Sequence, residues 1–287
     1  MGTPIDNVNW EEKSEGMNAL LNQKDSFTMH PIDQGFEAEV IKINSANKSY
    51  VLKIWNKNSK PDIRMQFRLL NFLFEQGLSV SKPLGWGTNA AGDRVLFTTF
   101  NGRPVTKVSV KNMKDMANIF HTIHVQDIKD IQLPKYDFIE YFFPGVIEHS
   151  DIYHALLSLV PTTEMKQKCM IHGDFHLENI LEQNGRYTVI DWTNVQLGDP
   201  RYDFAWSYML IKIYLSDRYA NIFRSAYLLE SDIQEEELEI FEALACLRWI
   251  LLNRNGGTPK GPNSTKRVKN VIDNNQFLKS LPFNDFQ

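Results

Sequence analysis

The most constraining feature of this chain is a run of chemistry-bearing residues wrapped around a tight turn. It reads Ile171-His172-Gly173-Asp174-Phe175-His176-Leu177-Glu178-Asn179 and continues through ILEQNGRYTVI to Asp191. Asn184-Gly185 is a strong hairpin signal, because both residue types tolerate the positive φ that a tight turn demands. Its flanks, 180–182 and 187–190, are strand-like. A two-residue loop pairs Asn179 with Ile190, whereas a three-residue loop sets Asn179 opposite Asp191. Either register leaves an amide and a carboxylate at the open end of one hairpin, where cross-strand Cβ atoms lie about 5 Å apart. Two oxygen donors so spaced suit a hard cation such as Mg2+, which keeps its other positions for phosphate and water. Asp174 ends the apolar run Cys169-Met170-Ile171 just before the hairpin. A carboxylate there can accept a proton from a hydroxyl nucleophile. Base, metal amide and metal carboxylate together make a phosphoryl-transfer set.

The rest of the chain bounds what could carry such a set. Its 287 residues suffice for one large domain or two lobes. With 43% hydrophobic and 23% charged residues, it is neither disordered, collagenous nor coiled coil. A net charge of −4 gives no global positive field for nucleic acid. Two cysteines, Cys169 and Cys246, cannot staple this length, and no Cys/His metal spacing occurs, so a reducing cytoplasm is expected. The start lacks the basic and apolar regions of a signal peptide. The most apolar stretch, Ala243–Leu252, is short and contains Arg248, which reads as a buried helix and not a membrane span.

Residues 27–55 read as strands: FTM, EAEVIKI and SYVLKIW, with a polar turn at 44–48. Ile63, Phe67, Leu70 and Phe74 recur at helical spacing over 63–76, and Gly77 stops the helix. Further strands are expected around 85–87 and over 94–100, with a turn or linker at 101–104. Helices are expected over 110–124, 151–160, 200–215, 233–252 and 264–279, interrupted by a hairpin-like stretch over 169–191. The pattern is α+β: a sheet-rich first part, 1–100, and a helix-rich second part, 101–287, with a cleft between lobes. Asp199 and Pro200 are placed to cap and start a helix, and Asp203 falls in its first turn.

The pattern H-x-D-x-x-x-x-N, followed by a hairpin and an Asp, matches the catalytic and metal-binding segments of protein-kinase-like folds. The wording here, HGDFHLEN and IDWTNVQLGDPRYDFA, resembles the aminoglycoside phosphotransferase and choline kinase group. That resemblance implies a two-lobed protein-kinase-like fold, with a small antiparallel-sheet lobe for the nucleotide and a larger, mainly helical catalytic and acceptor-binding lobe. It makes Asp174 the base and gives Mg2+ to Asn179 and Asp191. His172 becomes a packing and hydrogen-bonding residue, Asp203 a buttress of the catalytic loop, and ATP or GTP the phosphoryl donor. His176 is expected to be exposed near the cleft, with no assigned role.

The nucleotide side is less explicit. Lys53, in Tyr50-Val51-Leu52-Lys53-Ile54-Trp55, resembles the family's phosphate-binding strand lysine. The covering loop would be His30–Glu37, whose one glycine is Gly35; there is no G-x-G-x-x-G and no Walker loop. Gln66 stands where the family's lysine-pairing glutamate is usual, with Asp62 as the alternative partner. Thr98 and Phe100 begin the stretch whose backbone would meet the adenine edge. For the acceptor, Asp137, Glu140, Glu148, Asp151, Glu235, Glu236, Glu237 and Glu239 would attract a cation such as an aminoglycoside, although Glu235, Glu236 and Glu237 begin a helix, and dipole placement is the better account of them. Tyr136, Phe138, Tyr141, Phe142 and Phe143 would serve as pocket lining or as core. The expected protein is a kinase of a small hydroxylated molecule, acting alone or as a homodimer, without nucleic acid or membrane. The role is antibiotic resistance or metabolite phosphorylation of choline, homoserine or sugar type. The alternative is a catalytically weak nucleotide-binding protein.

Overall fold

The computed structural model describes residues 4–23, 26–32, 38–45, 48–59 and 61–281. Contacts divide the chain into two compact units, one of 1–105 with 178–193 and one of 106–177 with 194–287. The chain is α+β, as the alternation of strand and helix patterns implies.

The first unit is built on a six-stranded antiparallel sheet. Its strands are β1 (Val8–Lys13), β2 (Thr28–Pro31), β3 (Glu39–Asn44), β4 (Ser49–Trp55), β5 (Pro83–Asn89) and β6 (Arg94–Thr99), in the order β1-β5-β6-β4-β3-β2. Ile41, Ile43, Leu52, Val95 and Phe97 point into its core, consistent with period-two alternation. β1 and the short helix α1 (Met17–Leu21) were not legible in the sequence: the strand WEEK segment is polar, and its pairing with β5 supplies what propensity does not. Helix α2 (Ile63–Glu75) starts at Asp62, whose carboxylate accepts the Met65 N–H at 3.0 Å.

Residues 101–104, expected as a turn or linker, form part of a second sheet. There β7 (Arg103–Pro104) pairs with β9 (Ile180–Gln183), which pairs in turn with β10 (Arg186–Val189). This pairing is why 178–193 groups with the sheet unit and not with the remainder of 101–287.

The second unit is mainly helical: α3 (Val110–His124), α4 (Phe138–Phe142), α5 (Ser150–Leu159), α6 (Pro200–Tyr214), α7 (Asp217–Glu230), α8 (Leu238–Arg254) and α9 (Ser264–Asn274). The acidic run at 235–237 forms a separate 3-10 turn ahead of α8. α7 went unread because its apolar face is narrow: Ala220, Phe223 and Tyr227 are its buried residues. The hairpin-like reading of 169–191 divides in two, because β8 (Cys169–Ile171) pairs with β11 (Gln196–Gly198) and not with the 180s. α6 and α8 carry the core, through Tyr202, Trp206, Met209, Phe241, Leu244 and Trp249. Among the described residues no helix is long and apolar enough to cross a membrane.

Gly102 sits at φ 116, and a Cβ there would collide with the Glu182 carbonyl of β9. Gly102→Ala should therefore lower stability by roughly 1–3 kcal/mol or more through backbone strain alone. Urea titration checks this; an unchanged midpoint would show that β7 is not held against β9.

Candidate functional site

In the hairpin, Arg186 pairs with Gln183 and Val189 with Ile180, so the loop is the two residues Asn184 and Gly185, at φ 54 and 78. The ladder continues one step, with Ile190 N–H donating to the Asn179 carbonyl at 2.9 Å. This is the two-residue register: Asn179 stands opposite Ile190 at the open end of the hairpin, and Asp191 follows next in the chain. Asn179 is buried, and Asp191 is half-buried at φ 63, an uncommon backbone for a residue with a side chain. Thr193 Oγ1 donates to Asp191 Oδ1 at 3.0 Å, which orients the carboxylate. One amide and one carboxylate, both oxygen donors, fit a Mg2+ that takes its remaining ligands from phosphate and water. Among the described residues no group of three His, Cys, Asp or Glu side chains is placed to hold a metal.

Asp174 belongs to the helical unit, three residues past the end of β8. Its Oδ1 accepts the Trp206 indole N–H at 3.0 Å, and His176 Nε2 lies 3.4 Å from its Oδ2. Burial disfavours the charged carboxylate. The hydrogen bond and charge of His176, the Arg248 guanidinium and the Trp206 N–H more than offset it, holding Asp174 below the usual carboxylate range. His176, expected to be exposed, is instead a half-buried partner of Asp174.

The loop that presents Asp174 is held from behind. Asp203, wholly buried on α6, accepts the His172 N–H at 2.8 Å and the Gly173 N–H at 2.9 Å. His124, at the end of α3, puts Nε2 3.0 Å from the same carboxylate and Nδ1 2.5 Å from the Tyr227 hydroxyl. Burial pushes the Tyr227 hydroxyl well up, so it stays protonated beside Nδ1. Gly173, at φ 79, packs so tightly on Asn194 that a Cβ would lie 2.8 Å from its carbonyl oxygen. The buried His172 accepts the Asp174 N–H through Nδ1 at 3.3 Å, the local hydrogen-bonding role its position suggests.

Lys53 lies on β4, opposite Val40 of β3 and Leu96 of β6, with its ammonium 5.8 Å from the Trp55 ring centroid. Among the described residues no carboxylate is within ion-pair distance of it. Asp62 is engaged as the cap of α2, and Gln66 is buried on that helix. Gly35 falls within 33–37, outside the described residues. Thr98 is buried on β6 between Val51 and Pro83, and the Phe100 N–H donates to the Ser49 carbonyl at 3.0 Å. The Lys42 ammonium lies 4.0 Å from the Phe100 ring centroid.

Most acids named for the acceptor are already engaged. Asp137 caps α4; Asp151 grips Arg254 at 2.7 and 2.8 Å; Glu235 meets Arg224 at 3.2 Å and Glu237 meets Arg201 at 2.8 Å. Glu239 accepts two hydrogen bonds from Gln276. Phe138, Phe142 and Phe143 are core around Tyr202. Tyr136 and Tyr141 stack at 4.7 Å, and the Tyr141 hydroxyl donates to Asn194 at 3.0 Å. Sequence reasoning missed Trp206 and Arg248 as neighbours of Asp174. A lone arginine inside the apolar run 243–252 was the available signal.

A family model described as the phosphotransferase enzyme family matches residues 28–241. Among solved structures, choline kinase LicA from Streptococcus pneumoniae aligns at TM-score 0.62 and 19% identity, covering 93% of this chain and 100% of its own. A thermostable mutant of aminoglycoside phosphotransferase APH(4)-Ia aligns at 0.64 and 14%, covering 92% and 98%. Amicoumacin kinase hAmiN, solved with AMP-PNP, Ca2+ and Ami, aligns at 0.64 and 15%, covering 94% and 96%. A search of curated protein sequences finds no match. The chain belongs to the phosphotransferase enzyme family and is a small-molecule kinase of protein-kinase-like fold.

Proposed function

We propose that the protein transfers the γ-phosphoryl group of ATP, or of GTP, to a hydroxyl of a small molecule in a Mg2+-dependent reaction. The observation that carries this reading is the Asn184-Gly185 register, which brings Asn179 to the open end of the hairpin opposite Ile190, one residue before Asp191 and a few residues after Asp174. Solved relatives of this fold bound to AMP-PNP support an adenine nucleotide as donor.

In this reading Asn179 and Asp191 hold Mg2+, and Thr193 fixes the Asp191 rotamer. When bound, the ion neutralises charge on the donor phosphates. Lys53 and the backbone near Gly35 hold phosphate oxygens, and Thr98 and Phe100 flank the adenine edge. Asp174 accepts a hydrogen bond from the acceptor hydroxyl, orients its lone pair toward phosphorus and takes its proton as the new P–O bond forms. A carboxylate held below its usual range is a weak base, so its larger service is orientation, in keeping with a transition state that asks for positioning. The acceptors named for relatives (choline, ethanolamine, hygromycin B) are alcohols, which supports a hydroxyl acceptor of resistance or metabolic type.

Asp174→Ala should lower kcat by about 10²–10⁴-fold while nucleotide affinity stays within about twofold, as read by ADP release and by titration with AMP-PNP. Equal loss of nucleotide binding would overturn the base assignment. Thr193→Val should raise the Mg2+ concentration required for activity by about 10–100-fold, as loss of an orienting hydrogen bond to a ligand does; an unchanged Mg2+ dependence would remove Asp191 from the metal site. Activity needs Asp174 ionised, so it is present above the Asp174 pKa and lost as pH falls through it. The wild type should show no acid-side loss from this group down to about pH 5. His176→Ala removes a hydrogen bond and a positive charge, leaves burial less opposed, and should move the acid limb of kcat/KM upward; a downward shift would contradict the pairing.

A further inference from the structure

Arg248 is a buried cation beside Asp174 whose hydrogen bonding is incomplete. It lies on α8 at 9% exposure, and its Nη1 donates to the Gly173 carbonyl at 3.1 Å. Its guanidinium covers the Trp206 ring at 4.0 Å from the centroid and lies 4.7 Å from that of Phe142. Among the described residues no carboxylate stands within ion-pair distance of it, and the groups that answer its donors are neutral: the Gly173 carbonyl and the Tyr202 hydroxyl. The contrast within the same unit is direct. Arg201 meets Asp199 and Glu237, Arg224 meets Glu235 and Glu242, and Arg254 meets Asp151. A desolvated guanidinium is costly unless an anion answers it. Here the nearby charge is that of Asp174, whose carboxylate feels the arginine without pairing with it. The Tyr202 hydroxyl is wholly buried beside the same guanidinium, whose charge and hydrogen bond oppose the rise that burial imposes on the phenol.

We infer that Arg248 determines acceptor specificity, and that the acceptor is an alcohol carrying an oxyanion, a carboxylate or a phosphate. The free donors of a planar guanidinium form a fork that matches such a group in bidentate fashion. The same placement disfavours the opposite class. One face of Trp206 is covered by the arginine and does not offer itself to a quaternary ammonium, and a cationic acceptor would meet like charge beside the base. The engaged state of Asp137, Asp151, Glu235, Glu237 and Glu239 removes much of the acidic field that would draw a polycation. This rests on the kinase reading above and narrows its acceptor.

The full chain with Mg-ATP is assayed for ADP release against alcohols that differ in charge: glycerate, gluconate and glycerol 3-phosphate as anions, glycerol as the neutral member, choline and kanamycin as cations. The anionic set should exceed the others in kcat/KM by about tenfold or more. Arg248→Gln should raise KM for the anionic acceptor by about tenfold with kcat within about threefold, and Arg248→Lys should restore part of the loss. Circular dichroism and Tm confirm that the variants fold. Choline or kanamycin as the best acceptor would overturn the inference and leave the kinase reading standing. A fall in kcat at constant KM would also overturn it, reducing Arg248 to a positioning residue for the Gly173 loop. If no acceptor releases ADP, the kinase reading fails for this panel, and binding decides: a Tm rise of the wild type with glycerate, gluconate or glycerol 3-phosphate that Arg248→Gln abolishes supports the oxyanion site, and no rise overturns it.

Discussion

The buried carboxylate of Asp203 is the interaction on which the helical unit's chemistry depends. It has no exposed surface, and three donors converge on it: the His172 and Gly173 amides and His124 Nε2. Hydrogen bonds to an ionised acceptor are about twice as strong as neutral ones, and removing the acceptor would strand two buried backbone donors. The loop carrying Asp174 is therefore set by α6, α3 and α7 together, because Tyr227 of α7 completes the chain through His124. Ring packing supports the same arrangement: Phe175 of the loop stacks on Phe120 of α3 at 4.2 Å, and Phe204 of α6 stacks on Tyr227 at 4.4 Å. Rigidity at Asp174 follows from this layer behind it, as a site that works by positioning requires.

Two kinds of buried charge coexist in this unit, and their difference carries meaning. Asp199 and Arg201 form a closed set: the carboxylate caps α6 and receives Lys166 N–H, while the guanidinium meets two acids and two backbone carbonyls. Such a set satisfies itself and needs no ligand. Asp174, His176 and Arg248 form another kind: the carboxylate is partly accessible and meets His176 and the Trp206 N–H, while the guanidinium meets no acid within ion-pair distance among the described residues. The contrast separates two arrangements that residue type alone does not.

Much of this was legible from residue order. The Asn184-Gly185 turn limited the hairpin to two registers, and the observed one needs no information beyond turn geometry. β4, α3 and α6 follow from alternation, helical spacing and the Asp199-Pro200 start, all local signals. What was not legible depends on distant partners. β1 is polar and exists by pairing with β5; β11 is three residues long and exists by pairing with β8; β7 consists of an arginine and a proline held by β9. The roles of His176, Trp206 and Arg248 are likewise tertiary, since residues 176, 206 and 248 come together only when α6 and α8 pack on the loop.

The departure at Gln66 gains a physical account from the same reasoning. An acid at this buried position on α2 would require a close cation at all times. A neutral amide tolerates burial whether or not the Lys53 ammonium is near, so the sheet unit does not depend on that pair for its stability. Asp62 cannot substitute, because its carboxylate is committed to the first turn of the helix. Lys53 is then positioned by the β3–β4–β6 ladder itself, with partners Val40 and Leu96 on its two sides and no acid within ion-pair distance among the described residues. Backbone registration thus fixes where the ammonium begins.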